Sequence, residues 1–160
     1  MTTLRIMRGM QSAPPIEIRP VDIEDLEALR ALEAPYLDRH ERGACVDAAS
    51  LRHYARSGHA FAARRDGVVV GTVLAHAVWD GARPVVRASR LVAAGDDATV
   101  LGRLLEALVK SAYDAAVYDL VVELPAGDAA GRSATEATAF VERPLRRFER
   151  VLGSRAAAGA

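Results

Sequence analysis

Residues 85–124, VVRASRLVAAGDDATVLGRLLEALVKSAYDAAVYDLVVEL, carry the pattern that decides the fold. Residues 85–92 are predicted to form a strand. Residues 117–124 are almost continuously apolar, as in a strand that is buried on both faces. Between them, residues 98–116 repeat leucine at the i, i+3, i+4 spacing of an amphipathic helix. A strand–helix–strand unit within one sheet forms a right-handed crossover, so the two strands are predicted to run parallel.

The chain before this unit is predicted to begin with a short strand and a helix. Residues 16–20 alternate in polarity and end at a proline, which fits a strand. Asp22 and Asp25 have the spacing of a capping box, so we expect a helix to begin there. Its predicted buried stripe consists of Ile23, Leu26, Leu29 and Leu32.

A second, shorter helix is predicted to follow. Asp47 or Ser50 is its expected N-terminal cap, and Gly58 is placed to end it because glycine readily adopts the left-handed conformation. Its apolar face is predicted to contain Leu51, Tyr54 and Ala55.

Three strands are then predicted to form an antiparallel meander. They cover residues 59–64, 68–79 and 85–92, and Gly71 is expected to form a bulge in the second of them. The turns that separate the strands are typical of hairpins and lie at Asp66-Gly67 and Asp80-Gly81. With the parallel crossover, the meander predicts an α/β domain built on a mixed sheet.

The chain after this unit is predicted to be less regular. Residues 128–139 have a weaker helical pattern, and the sequence from Phe140 is typical of irregular chain. A last strand is predicted at residues 147–152.

The composition indicates one domain without a dominant surface charge. The 160 residues include 21 basic and 21 acidic side chains, so the formal net charge is zero. This balance argues against nucleic acid or an anionic membrane as a general partner. We expect one domain over residues 16–153, with flexible tails at residues 1–15 and 154–160.

Cysteine usage and the N-terminal sequence predict a cytoplasmic protein. Cys45 is the only cysteine, which excludes an intramolecular disulfide and suits a reducing compartment. Residues 1–15 lack the apolar segment of a signal peptide, and no apolar run reaches the ~20 residues that span a membrane. The four histidines are too scattered to predict a metal site.

The order of the elements and two local motifs resemble a known superfamily. The order is strand, two helices, antiparallel meander, helix, strand, helix and strand. The sequence IRP at residues 18–20 before Asp22 and Asp25, and DG at residues 66–67 before VG at 70–71, are similar to motifs of the Gcn5-related N-acetyltransferases (GNAT). The resemblance extends over residues 16–152. It implies the GNAT fold, in which a mixed sheet is flanked by helices and its parallel strands 4 and 5 splay apart.

A narrower resemblance rests on three further segments. Residues 53–59, 77–79 and 109–115 are similar to a divergent bacterial GNAT-like family that is known as a domain of unknown function.

The resemblance implies acetyl-CoA or another acyl-CoA as the cofactor. Strand 4 would pair its backbone with the pantetheine arm at Leu91, Val92 and Ala93. The N-terminus of the following helix would hold the pyrophosphate, because unpaired N–H groups at helix N-termini bind anions. The residues implied there are Ala98, Thr99, Val100, Leu101, Gly102 and Arg103, the last as an extra phosphate contact.

The signature that GNAT enzymes carry at this helix is degenerate. The family reads Gln/Arg-x-x-Gly-x-Gly/Ala, and its three marked positions fall on Asp96, Thr99 and Leu101. The basic or amide position is therefore acidic, both small positions carry larger side chains, and Asp97 adds a second negative charge. Asp96, Asp97 or Thr99 can alternatively serve as the helix cap, a position at which aspartate is preferred.

The catalytic groups that the resemblance implies are absent from their expected positions. Residues 85–92 contain no carboxylate, and no tyrosine follows Tyr118. Glu123 at the end of the parallel strand and His76 within strand 3 are the substitutes for an acid or base. Each has an ordinary alternative, a solvated strand end for Glu123 and a structural residue for His76, so the catalytic residues stay unassigned. A nucleophilic mechanism has no support, because no base is visible beside Ser89 or Cys45.

Other aromatic and cationic residues have more than one interpretation. Trp79 either lines an acceptor pocket or covers the sheet edge. His59 is expected to be a capping or surface residue, and Tyr113 and Tyr118 are expected in the core. An arginine-rich segment either meets an acidic partner or a 3′-phosphate, or protects an edge strand. It comprises Arg143, Arg146, Arg147 and Arg150.

Two functions of different classes follow. The first is an acyl-CoA-dependent N-acyltransferase whose acceptor is a small-molecule or protein amine, as the resemblance implies. The second is a non-catalytic GNAT-like binding or assembly module that has lost the cofactor, as the degenerate signature suggests. A homodimer is predicted from Trp79, the arginine-rich last strand and the general frequency of two-fold assemblies.

Overall fold

The structure, a computed structural model, describes residues 13–148. Its strands form one five-stranded sheet in the order β1-β2-β3-β4-β5. Their bounds are Glu17–Pro20 for β1, Phe61–Arg65 for β2, Val68–Trp79 for β3, Pro84–Ala93 for β4 and Leu120–Val122 for β5.

Four α-helices connect and cover the strands. They are α1 (Leu26–Arg39), α2 (Ala48–Ser57), α3 (Ala98–Asp114) and α4 (Ala129–Ala137). The capping box of Asp22 and Asp25 is present and starts a 3₁₀ turn that leads into α1. Asp47 caps α2 together with Ser50, and Gly58 ends α2 with φ 75°. No helix in the described residues is long and apolar enough to cross a membrane.

The mixed sheet confirms the predicted parallel crossover. Strands β1 to β4 pair antiparallel with their neighbours, and β4 pairs parallel with β5 after the chain has crossed through α3. The parallel ladder covers only three residue pairs, from Val86 with Leu120 to Ala88 with Val122. A last hydrogen bond runs from the Glu123 N–H to the Ala88 carbonyl at 3.0 Å.

Beyond this bond the two strands separate, as the GNAT resemblance predicts. Ser89 is an extra residue in β4, because Ala88 and Arg90 pair with the consecutive residues Ala75 and Leu74 of β3. This bulge lies where β4 leaves β5, and bulges bend the strand that carries them. From Ser89 onward, among the strands that the structure describes, β4 has a neighbour on its β3 side only. We call this divergence of β4 and β5 the fork.

Two helical layers bury the two faces of the sheet. One face packs against α3 and α4 in the larger core cluster, and the other packs against α1 and α2. The predicted periodicity of α3 is confirmed by its buried stripe, which consists of Val100, Leu101, Leu104, Leu105, Leu108 and Ala112. Each such leucine contributes about 1.5–3 kcal/mol of burial free energy, so this stripe anchors the crossover helix to the sheet.

Gly71 is important for packing, but the bulge predicted at this glycine lies at its neighbour Val70. Val70 is the extra residue, because Arg64 pairs with Val69 and Ala63 pairs with Gly71. A Cβ atom at Gly71 would lie 2.4 Å from Cγ1 of Val100. The glycine therefore allows α3 to approach the sheet closely.

Several expectations about burial are wrong. Strand β5 is shorter than predicted and is not buried on both faces, since Val121 is 37% exposed. Tyr113 and Tyr118 lie at the surface, where their rings contact each other with centroids 6.0 Å apart. Ile23 is exposed, and the buried stripe of α1 is shifted to Leu29, Glu33, Tyr36 and Leu37.

The C-terminal segment differs from its prediction where it is described. Residues 141–148 are irregular and exposed, so the last strand does not begin at Arg147. The remainder of that predicted strand, including Arg150, lies outside the described residues.

We expect Gly71→Ala to destabilise the protein by about 1–3 kcal/mol, because the added methyl group forces α3 away from the sheet. Gly102→Ala is the matched control. Its Cβ would have no neighbour within 4 Å, and alanine favours a helix interior, so it should stabilise by about 0.5–1 kcal/mol. Urea unfolding of the three proteins measures both changes. Equal stability of the two variants would contradict the close-approach role of Gly71.

Candidate functional site

The edge of β4 beyond the fork is the first feature of the candidate site. Leu91, Val92 and Ala93 pair with β3, and their side chains are buried in the layers above and below. In an antiparallel pair, alternate residues direct their N–H and C=O groups away from the partner strand. On the side of β5, these groups face the space between the two separated strands. Such an edge can pair with an extended ligand.

A buried hydrogen bond connects the two helical layers past this edge. The hydroxyl of Tyr36 on α1 donates to Oδ2 of Asp128 at 2.7 Å, and Asp128 also caps α4 through the N–H of Gly131. The Tyr36 side chain packs against Val92 of β4. Burial, and then the Asp128 carboxylate, raise the pKa of Tyr36. The phenol therefore stays protonated and keeps its role as donor beside the open edge.

The N-terminus of α3 is capped by the protein's own carboxylate. Oδ1 of Asp97 accepts hydrogen bonds from the backbone N–H groups of Thr99 and Val100 at 2.9 and 3.1 Å. Of the three cap candidates, Asp97 is thus the one that caps. Oδ2 of Asp97 also accepts a hydrogen bond from Arg65 of β2 at 3.2 Å. These contacts, led by the Val100 N–H, hold the pKa of Asp97 below its usual value.

A second arginine neutralises the other acidic residue of this loop. Arg39 at the end of α1 donates two hydrogen bonds to the Asp96 carboxylate, at 2.8 and 3.0 Å. This pairing lowers the pKa of Asp96. Arg39 and Arg65 come from elements that are distant in sequence, and they place two guanidinium groups beside the α3 N-terminus. Sequence reasoning missed both, because only the fold brings them to this loop.

The two positions at which GNAT enzymes carry small residues have different environments. Thr99 is exposed, whereas Leu101 is 2% exposed and belongs to the core under α3. The leucine therefore packs against the sheet and leaves the loop surface free. Arg103 is exposed and lies 3.5 Å from Glu106 on the next turn of α3.

Glu123 lies at the fork between two arginines. Its carboxylate accepts a hydrogen bond from Arg87 of β4 at 3.2 Å and another from Arg147 at 3.3 Å. The side chain is about one-third exposed. The structure therefore places the glutamate where the parallel strands separate, within a group of opposite charges.

His76 lies on the same face of the sheet but in a different environment. It pairs across the strands with Arg87, and its ring contacts those of His53 and Tyr54 of α2. Its Nδ1 atom is buried and has no hydrogen-bond partner among residues 13–148. Burial, and then the charges of His53 and Arg87, lower its pKa. His76 is therefore neutral at pH 7, and Arg87 separates it from Glu123.

A hydroxyl pair lies at the bulge of β4. The Tyr54 hydroxyl and the Ser89 hydroxyl are 2.7 Å apart, and either oxygen can be the donor. The sequence assigned Tyr54 to the apolar face of α2 and found no partner for Ser89. The pairing depends on the bulge and on how α2 crosses the sheet, neither of which a local pattern specifies.

A solvent-open cavity of about 300 Å³ lies beside the fork. We call it the fork cavity. Ser89 contributes to its wall from β4, and the loop after α1 contributes Gly43. Its charged lining consists of Arg42, Arg90 and Arg147 together with Glu41 and Glu123.

Two of the remaining sequence candidates lie away from the fork cavity. Trp79 does not line it and is 70% exposed, with its indole N–H bonded to the Gly81 carbonyl at 3.1 Å. His59 is neither a cap nor a surface residue, because its ring is buried and its Nδ1 atom lies 3.0 Å from the Ser111 hydroxyl. Within the described residues, no three His, Cys, Asp or Glu side chains are grouped to hold a metal ion.

Comparison with known proteins identifies the family of this chain. Residues 16–157 match the family model described as "Protein of unknown function (DUF1999)". The chain belongs to the DUF1999 family. No curated protein matches the chain.

Solved structures relate this DUF1999 protein to the GNAT fold. The wild-type form of TTHA1254 from Thermus thermophilus is 37% identical, with a TM-score of 0.73 over 87% of this chain and 99% of that one. The ribosomal-protein-alanine N-acetyltransferase of Brucella melitensis is 19% identical, with a TM-score of 0.68 over 85% and 99%. The aminoglycoside N-acetyltransferase AAC(6')-Iy, in complex with CoA, is 18% identical, with a TM-score of 0.69 over 89% and 98%. The DUF1999 chain therefore has the fold of the GNAT acetyltransferases.

We expect the protonation of His59 to destabilise the protein. Burial lowers the pKa of His59 below its ordinary value of 6.5, so the unfolded chain binds the proton more readily. Stability is then complete at alkaline pH and falls as the pH drops from 6.5 through the lower pKa of the folded state. His59→Asn should lose less stability than the wild type between about pH 8 and pH 5.5.

Urea unfolding at both pH values is the measurement, and Arg52→Gln, on the exposed side of α2, is the control because arginine does not titrate in this range. The control should retain the full pH dependence of the wild type. If the pH dependence of the His59 variant equals that of the control, the buried His59 is not the cause.

Proposed function

We propose that this DUF1999 protein is an acyl-CoA-dependent N-acyltransferase that uses acetyl-CoA or a related thioester to acylate an amine. The observation that carries the proposal is the fork, where β4 presents an unpaired backbone edge directly beside a charged cavity. The cofactor supplies the activated acyl group. A GNAT fold neighbour that is 18% identical was crystallised with CoA, which supports a cofactor of this class.

The chain offers two groups of residues to hold the cofactor. The backbone of Leu91, Val92 and Ala93 would pair with the pantetheine arm along the open edge of β4. The N-terminal turns of α3, at residues 98–103, would face the pyrophosphate. Arg39 and Arg65 supply beside these turns the positive charge that the loop sequence lacks.

The fit at the α3 N-terminus is incomplete, because Asp97 competes for it. Its carboxylate uses two of the N–H groups that a phosphate would need. At about 4 Å and an effective dielectric constant of ~20, one such charge opposes a phosphate charge by roughly 4 kcal/mol as an upper bound. Arg65 and salt reduce this repulsion. We therefore propose a weak cofactor affinity that rises when the carboxylate is neutralised.

Two further groups are proposed to act on the acceptor. Glu123 would take the proton that the amine loses, because its carboxylate is partly exposed at the fork, where an acceptor can reach it. The hydroxyl pair of Tyr54 and Ser89 would donate a hydrogen bond at the bulge of β4. This pair would replace the tyrosine that GNAT enzymes often carry on a later helix.

The second candidate function is a GNAT-shaped module without a cofactor. The observation that favours it is the occupation of the α3 N-terminus by Asp97 and of Arg39 by Asp96. A protein that needs no pyrophosphate site gains helix stability from such a cap, about 1 kcal/mol. Direct measurement of cofactor binding separates the two functions.

Isothermal titration with acetyl-CoA should detect binding to the wild type, and Asp97→Asn should bind about tenfold more tightly. Asparagine caps a helix as well as aspartate does, so the substitution removes the charge and spares the helix. Asp47→Asn at the N-cap of α2 is the matched control and should bind as the wild type does. Absence of binding to all three proteins at millimolar ligand would overturn the transferase proposal and favour the module.

Glu123→Gln should lower the rate of CoA release in the presence of an accepted amine by about 10²- to 10⁴-fold. The loss should shrink at high pH, where the amine is already neutral. Glu136→Gln, which loses an exposed carboxylate paired with Arg132 on α4, is the control and should keep full activity. CoA release can be followed with a thiol reagent. A Glu123 variant as active as the control would rule out the proposed base.

A further inference from the structure

The fork cavity has more positive than negative charge on its walls. Its lining contributes three guanidinium groups and two carboxylates. Glu123 is already bonded to Arg87 and Arg147. Its charge is thus largely balanced before any ligand arrives, and the other charged groups of the lining are the cations of Arg42 and Arg90 and the carboxylate of Glu41.

Arg42 has a donor that no group in residues 13–148 satisfies. Its Nε atom is buried and has no hydrogen-bond partner in this part of the chain. No carboxylate of the described residues lies within ion-pair distance of its guanidinium. A buried charged donor without a partner is unfavourable. Arg42 also lines the cavity, so an anion there would supply a counter-charge for its guanidinium.

Arg90 is held in place by weak contacts only. Its terminal nitrogens lie 3.4 Å from the carbonyls of Ser89 and Ala44, and its Nε lies 3.7 Å from Glu33. Glu33 is fully buried, and one of its oxygens accepts the Val46 N–H at 2.8 Å. Burial raises the pKa of Glu33, which weakens it as a counter-ion. The contacts of Arg90 with the protein are therefore weak, and its guanidinium can still form hydrogen bonds to a ligand in the cavity.

The volume and the charges restrict the kind of ligand. About 300 Å³ is at the lower end of the range for small-molecule sites. A polycationic amine would bring further positive charge to a wall that already has an excess. A small amine without an anionic group would leave Arg42 unsatisfied.

Resting on the proposed function, we infer that the acceptor is a small amino carboxylic acid, such as a free amino acid. Its carboxylate is bound by Arg42 and Arg90, and its amine lies near Glu123 at the fork. In the transfer, the amine nitrogen gains a bond to the acyl carbon, the carbon–sulfur bond of the thioester breaks, and the electron pair of that bond stays on sulfur. The amine proton passes to Glu123, and the thiolate of CoA takes up a proton from solvent to give the free thiol.

The test is the binding of amino acids against their amides. Glycine, L-alanine, L-serine and L-glutamate are titrated calorimetrically, each beside its α-amide, with and without saturating CoA. At least one acid should bind about tenfold or more tightly than its amide, because the amide lacks the charge that Arg42 and Arg90 recognise. The four acids cover side chains of different size and charge within the volume of the cavity.

Arg42→Gln should abolish the preference for the acid over its amide, and Arg42→Lys should retain part of it. Arg19→Gln on β1, at the opposite edge of the sheet, is the matched control and should keep the full preference. Arg90 is not suited to the first test, because its guanidinium lies beside the fully buried Glu33 and its removal would disturb the protein interior as well as the cavity.

Two results would overturn the inference: acids that bind no better than their amides up to about 10 mM under both conditions, or an unchanged preference in the Arg42→Gln variant. Acetyl-CoA binding without any amino-acid preference would refute this acceptor and leave the transferase proposal intact. A preference that depends on Arg42 in a protein that does not bind CoA would support the site and refute the transferase.

Discussion

The parallel pairing of β4 with β5 is limited to three residue pairs, and the candidate site depends on that limit. Pairing ends when the Glu123 N–H binds the Ala88 carbonyl, and the bulge at Ser89 then bends β4 away. If the ladder were longer, β5 would also pair with the edge of β4 beyond the bulge. Because it stops, backbone groups of β4 face a gap, and the helices α1 and α4 of opposite layers meet across it through Tyr36 and Asp128.

The crossover helix makes this geometry rigid. The leucine stripe of α3 and the missing side chain of Gly71 hold the helix close against β3 and β4. The N-terminus of α3 is thereby fixed at the end of β4, near Arg39 and Arg65. A local sequence that is unfavourable for an anion is thus placed within a tertiary environment that is favourable for one. In the function that we propose, the competition between Asp97 and these arginines would set the affinity of this loop for a phosphate.

In the fork cavity, too, the tertiary structure brings together charged groups from separate segments of the chain. Its charged groups come from the loop after α1, from β4, from the end of β5 and from the C-terminal segment. None of these segments has a motif of its own. Arg42 and Arg90 acquire their character from their surroundings, since Arg42 has a buried Nε without a partner among the described residues and Arg90 has only long hydrogen bonds.

The sequence by itself determined the order of the elements from β1 to α4 and the parallel crossover, because the helical period of residues 98–116 and the hairpin turns are local signals. The splay of the two parallel strands followed from the resemblance to the GNAT fold. The sequence also determined that the loop before α3 lacks the basic or amide residue of the GNAT signature, because it has acidic residues at positions 96 and 97. It did not predict that β5 is short and half-exposed or that Tyr118 is at the surface, because an apolar run looks alike at the edge and in the centre of a sheet. Only the tertiary structure decided which charges face one another. The partners of Asp96, Asp97, Ser89 and Glu123 come from other elements, and such contacts depend on how those elements pack together.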